Sequence, residues 1–98
     1  MDKKEAYEQK LQAQLDEWRA EIDQLKAQAK MAEAEKKIEY EQKIEELEVS
    51  QEKAREKLQE VQSSSSDAWQ DIKDGANSAF ESLKTAMQKA KSRFSQNN

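Results

Sequence analysis

The sequence predicts an all-α protein: a long helix, then a shorter amphipathic helix that folds back on it as an antiparallel hairpin, with coiled-coil or helical-bundle association. Three observations predict it. Large apolar residues recur at steps of three and four through residues 7–61, and that span contains neither Gly nor Pro. Charged residues, mostly Glu and Lys, make up 39% of the chain against 35% apolar, a composition closer to long helices than to globules. Finally, the run Ser63, Ser64, Ser65 and Ser66 interrupts a pattern that is otherwise helical.

The same composition narrows function. At 98 residues the chain is one small domain, in a size range that buries little surface alone and often needs a partner. It has no Cys, which removes disulfides, thiol nucleophiles and thiolate metal sites, and no His, the commonest general base and metal ligand. The chain therefore reads as a non-enzyme, with no catalytic, metal or cofactor-binding residues to name. There is no apolar window of membrane-spanning length and no charged-then-apolar start, so the expected location is the cytoplasm. A net charge of −4 points away from nucleic acid, whose phosphates need a concentrated positive field. So polar a chain invites comparison with disordered tracts, but those lack an ordered apolar period.

Residues 1–62 are expected to form the long helix. Asp2 is placed to cap its first turn, with Glu5 three residues on in a weak capping-box pattern. The seam then reads Tyr7, Leu11, Leu15, Trp18, Ile22, Leu25 and Ala29, resumes at Tyr40, Ile44 and Leu47, passes Gln51 and Ala54, and ends at Leu58 and Val61. From Leu15 to Ile44 there are 29 residues and eight seam steps, about 3.6 residues per step, so a nearly straight helix is expected through the middle. A weaker stripe of Ala13, Ala20, Ala27, Met31, Ala34, Ile38 and Val49 lies opposite. Its larger members, Met31, Ile38 and Val49, suggest contact from a second side.

The seam thins between Ala29 and Tyr40, where Ala32 and Lys36 hold its positions. A turn here would give three helices of similar length in a compact bundle. It would lack Gly, Pro, Asn and Asp, whereas Ala, Glu, Lys and Met are strong helix formers and Glu33 with Lys37, and Glu39 with Lys43, are well-oriented i,i+4 pairs. The straight helix is the favoured expectation. Gln51 either fixes register within the seam or sits at its wet edge. The acidic face of Glu39, Glu41, Glu45, Glu46, Glu48, Glu52 and Glu56 reads as a solvated flank and not a cation site, because its carboxylates lie along a rod.

The serine run 63–66 is the expected turn, since Ser disfavours helix and its hydroxyl caps backbone groups. Asp67, with Gln70 three residues on, is the expected N-cap of the second helix over 67–94, followed by a polar tail at 95–98. This helix has a seam of Trp69, Ile72, Ala76, Phe80, Leu83, Met87, Ala90 and Phe94, flanked by the small residues Ala68, Gly75, Ala79 and Ala86. The apolar period crosses Gly75 unbroken, which places it within the helix. Acids at Asp67, Asp71 and Asp74 and bases at Lys84, Lys89, Lys91 and Arg93 complement the helix dipole.

The segments Leu15-Asp16-Glu17-Trp18 with Glu21-Ile22, and Asp67-Ala68-Trp69-Gln70-Asp71-Ile72-Lys73-Asp74-Gly75 leading to Lys91-Ser92-Arg93-Phe94, resemble a family of small, uncharacterised bacterial coiled-coil proteins. The resemblance implies no activity. It implies only a layout of long helix, polar break and aromatic-bearing helix.

A second helix of this length covers only half of the first, leaving Leu11, Leu15, Trp18, Ile22 and Leu25 as an exposed apolar stripe. The leading expectation is therefore an interaction or structural protein that self-associates through the seam, its partner another copy of itself or a different coiled-coil protein. The alternative is reversible membrane or lipid association through the aromatic face of the second helix.

Overall fold

The computed structural model describes residues 2–96, and over them the chain forms three α-helices and no strand: α1 (Lys3–Lys30), α2 (Ala34–Ser63) and α3 (Trp69–Gln96). Met1, at the expected polar start, and Asn97 and Asn98, in the expected polar tail, lie outside the described residues. Asp2 does cap α1. Its backbone is extended, and its carboxylate accepts the Glu5 N–H at 2.7 Å, satisfying one of the donors that a helix start leaves unpaired.

The expected uninterrupted helix does not form. α1 ends at Lys30, the Met31 N–H reaches back to the carbonyls of Gln28 and Ala29, and the Ala32 N–H donates to Ala29 at 3.2 Å. Glu33 is extended (φ −66°, ψ 157°), and its carbonyl accepts the Lys37 N–H at 2.8 Å to begin α2. The turn thus falls in the thin part of the seam, at residues 31–33. It needs no Gly because no residue in it has a positive φ.

Burial is the physical reason for the turn. In a straight rod Leu11, Leu15, Ile22 and Leu25 would face water, whereas here each is less than 9% exposed. Burying one such side chain stabilises by about 1.5–3 kcal/mol. The helical hydrogen bonds given up at an exposed turn, whose groups stay solvated, are worth only about 0.5–1.5 kcal/mol each.

Contacts between the helices give their directions. Lys4 Nζ donates to the Gln62 carbonyl at 3.3 Å and Lys26 pairs with Glu48 at 3.2 Å, so α1 and α2 run in opposite directions. Tyr40 stacks on Phe94 while Gly75 lies beside Lys57, so α2 and α3 are also opposed. The result is an up-down-up arrangement of 51 × 20 × 18 Å with the core along its long axis.

Side-chain size sets the spacing. Where α2 meets α3 the core includes Ala54, Ala76 and Ala90, and the two backbones approach closely along their length. Where α1 meets α3 aromatic pairs lie in the core, and close backbone approaches are few.

The serine run ends α2 by bonding its own last turn: Ser63 Oγ donates to Gln59 at 2.9 Å and Ser64 Oγ to Val61 at 2.6 Å. Asp67 is not the N-cap that the sequence suggested, because α3 begins two residues later. Instead Ser65 Oγ accepts the Ala68 N–H at 3.1 Å, so the hydroxyl nearest the turn organises it.

Candidate functional site

The apolar seam was the candidate site, and the structure brings its members together inside one chain. Leu11, Leu15, Ile22, Leu25, Tyr40, Ile44, Leu47, Leu58, Val61, Trp69, Phe80, Leu83, Met87 and Phe94 are buried in a single core, with Trp18 and Ile72 partly buried against it. The stripe from Leu11 to Leu25 is therefore not exposed, because α1 turns back where a straight helix would have carried it away. Gln51 is half-buried at the edge of an open furrow between α1 and α2, beside Gln12, Asp16 and Arg19.

The second stripe is corrected by the same geometry. Met31, in the turn, and Ile38 and Val49, on α2, are 87%, 62% and 57% exposed, so among the described residues no helix packs on that side of α2. Three helices need only one apolar face each.

Aromatic pairs occur at three levels of the core. Tyr7 lies against Trp69 with centroids 5.5 Å apart, Trp18 against Phe80 at 6.0 Å, and Tyr40 stacks on Phe94 at 3.9 Å. Such pairs add about 0.5–1.5 kcal/mol each beyond their area. Lys73 Nζ sits 5.5 Å from the Tyr7 ring and 5.7 Å from the Trp69 ring, a cation–π clasp at this end of the molecule. The aromatic face of α3 thus points inward. Lipid contact through it would require α3 to leave the core, and no helix among the described residues is long and apolar enough to cross a membrane.

Tyr7 also anchors a polar contact that the sequence did not announce. Its hydroxyl donates to the Asn77 side-chain oxygen at 2.5 Å, with the Lys73 carbonyl a second acceptor at 3.3 Å. Burial, and secondarily the Asp74 carboxylate, push the phenol pKa above its ordinary value. The phenol is thus harder to ionise folded than unfolded. Its contribution to stability is complete below about pH 10 and is lost as pH rises through the raised folded value. Urea denaturation from about pH 9 to 11 should show a steeper loss of stability for the native chain than for Tyr7→Phe. Equal slopes would mean that Tyr7 is not part of the alkaline transition.

Charges fix register around the core. Lys91 pairs with Glu21 at 2.6 Å, Lys26 with Glu48 at 3.2 Å, and Arg93 with Glu39. Exposed pairs of this kind contribute about 0.2–1 kcal/mol each. Along the acidic flank of α2, Glu39 and Glu48 are engaged in this way, and Glu46 with Lys43 and Glu52 with Arg55 pair within the helix. Among the described residues no group of three or more acids is placed to hold a metal ion.

These inter-helix partners lie 22 to 70 residues apart in the chain, so no local spacing could have found them. Outside the core, an open furrow of about 610 Å³ runs between α2 and α3 over Leu47, Ser50, Ser82, Thr85, Ala86 and Ala90. No protein-family model, no curated protein and no solved structure matches this chain.

Proposed function

We propose that this chain is a non-enzymatic interaction or structural protein of the cytoplasm that self-associates through its apolar seam, its helices meeting as antiparallel, coiled-coil-like pairs. One observation supports this most directly: α2 repeats the seam spacing of α1. Leu11, Leu15, Trp18, Leu25 and Ala29 correspond, at a constant offset of 29 residues, to Tyr40, Ile44, Leu47, Ala54 and Leu58, while Tyr7 and Ile22 fall on the polar Lys36 and Gln51. On a helix that offset is a rotation of only about 20°. A face covered by one helix of this chain is therefore suited to the equivalent helix of a second copy. The resemblance to small bacterial coiled-coil proteins is in keeping with this reading.

Light scattering coupled to size exclusion, over a wide range of protein concentration, tests it. A dimer or larger species that grows with concentration is the expected result. A strictly monomeric chain up to millimolar concentration would overturn it.

A further inference from the structure

We propose that two copies self-associate by exchanging α1, the turn at residues 31–33 straightening so that α1 and α2 become one continuous helix. This rests on the self-association proposed above and specifies its route. The partner is a second copy of this chain, and each α1 lies on the α2 and α3 of the other.

The turn has the chemistry of a hinge. Met31, Ala32 and Glu33 are all strong helix formers, and Met31 is already close to helical (φ −90°, ψ −6°). Glu33 is the clear departure at ψ 157°, and as the N-cap of α2 it makes no side-chain capping bond. Straightening requires the extended Glu33 to rotate into the helical region, and the helix ends that the turn leaves uncapped then become helix interior. The other connection is different. Hydroxyls of Ser63, Ser64 and Ser65 all bond backbone groups there, which holds that turn in place.

Phase and register agree with the exchange. From Ala29 to Tyr40 is 11 residues, about 20° from a whole number of turns, so a straightened helix keeps both seams on one face. The α1–α2 contacts join residues whose numbers total 66 (Lys4 and Gln62) and 74 (Lys26 and Glu48). An antiparallel pair in that register crosses its own copy midway, between residues 33 and 37. That is the end of the turn and the first residues of α2, so each α1 meets the α2 of the other copy in the register it has within one chain. At the crossing the seam positions are Ala32 and Lys36, the one stretch where the seam lacks large apolar groups.

The exchange leaves the closely packed α2–α3 contact within each chain. Tyr7 on Trp69, Trp18 on Phe80, Lys91 with Glu21 and Lys26 with Glu48 become contacts between chains. Both forms bury the same residues. The difference between them is confined to the hinge and the crossing, so hinge substitutions control it.

Ala34→Pro is the decisive variant. Proline is favoured at the first position of a helix and holds the preceding residue extended, as Glu33 already is, yet it is incompatible with a helix interior. In the full-length chain it should leave the monomer folded by circular dichroism and weaken dimerisation by about a hundredfold or more. The native chain has no Cys, so Lys26→Cys with Glu48→Cys, joined by a short bismaleimide after equilibration at high concentration, reports directly whether the pair is within or between chains. Covalent dimers on a denaturing gel are the expected product.

A dimer that survives Ala34→Pro with cross-links only within chains would overturn the exchange while leaving self-association standing. No dimer from the native chain at any concentration would overturn both. If Ala34→Pro fails to fold, the cross-link pattern of the double-cysteine chain alone decides.

Discussion

Replacing Phe80 with Ala is expected to destabilise the fold by about 3–5 kcal/mol, a large share of the roughly 5–15 kcal/mol that holds a small domain folded. Phe80 is buried midway along α3 and meets Trp18 of α1. Its ring bridges a gap that the backbones do not close, since α1 and α3 make few close approaches. Truncation therefore leaves a cavity whose walls are themselves large side chains, with little able to move in. Urea denaturation followed by circular dichroism measures the change. Trp18 emission should shift to the red in the variant as its neighbour is lost. A destabilisation below about 1 kcal/mol would mean that α1 does not rest on α3 at this level.

The second expectation separates two adjacent residues of α3. Ala76→Leu should destabilise by about 1–3 kcal/mol, because Ala76 is fully buried where α2 and α3 approach closely and a larger side chain must push them apart. Gly75→Ala should instead stabilise by about 0.5–1 kcal/mol. A Cβ added at Gly75 meets only the end of the Lys57 side chain, at 3.8 Å, and the helix gains a better former. Opposite signs at neighbouring positions follow only if α3 presents Ala76, and not Gly75, to α2. Destabilisation by both, measured in the same urea series, would show that α3 is rotated from the orientation described.

Most of the core was legible without tertiary information. The steps from Leu11 to Leu25, from Tyr40 to Val61 and from Trp69 to Phe94 each follow the period of a helix, and a helix carries its own hydrogen bonds, so its face is a local property. The Asp2 cap was legible for the same reason, since acceptor and donor are three residues apart. The start of α3 was missed because two residue types compete for the same caps. Asp67 and Ser65 both offer an acceptor, and the path of the chain into α3 selects Ser65.

What this sequence determines by itself is that it is all helical, which face of each helix is apolar, and that helix stops in the serine run. Each follows from interactions within a few residues. The turn at residues 31–33 was decided only by tertiary structure. Met31, Ala32 and Glu33 suit a straight helix as well as a turn, and a favourable run of helix formers was outweighed by burial of Leu11, Leu15, Ile22 and Leu25 against distant parts of the chain. The pairing of Tyr7 with Asn77, of Glu21 with Lys91 and of Glu39 with Arg93 has the same origin. These contacts exist because the turn places α1 and α2 against α3, and local periodicity holds no record of which helix will lie beside which.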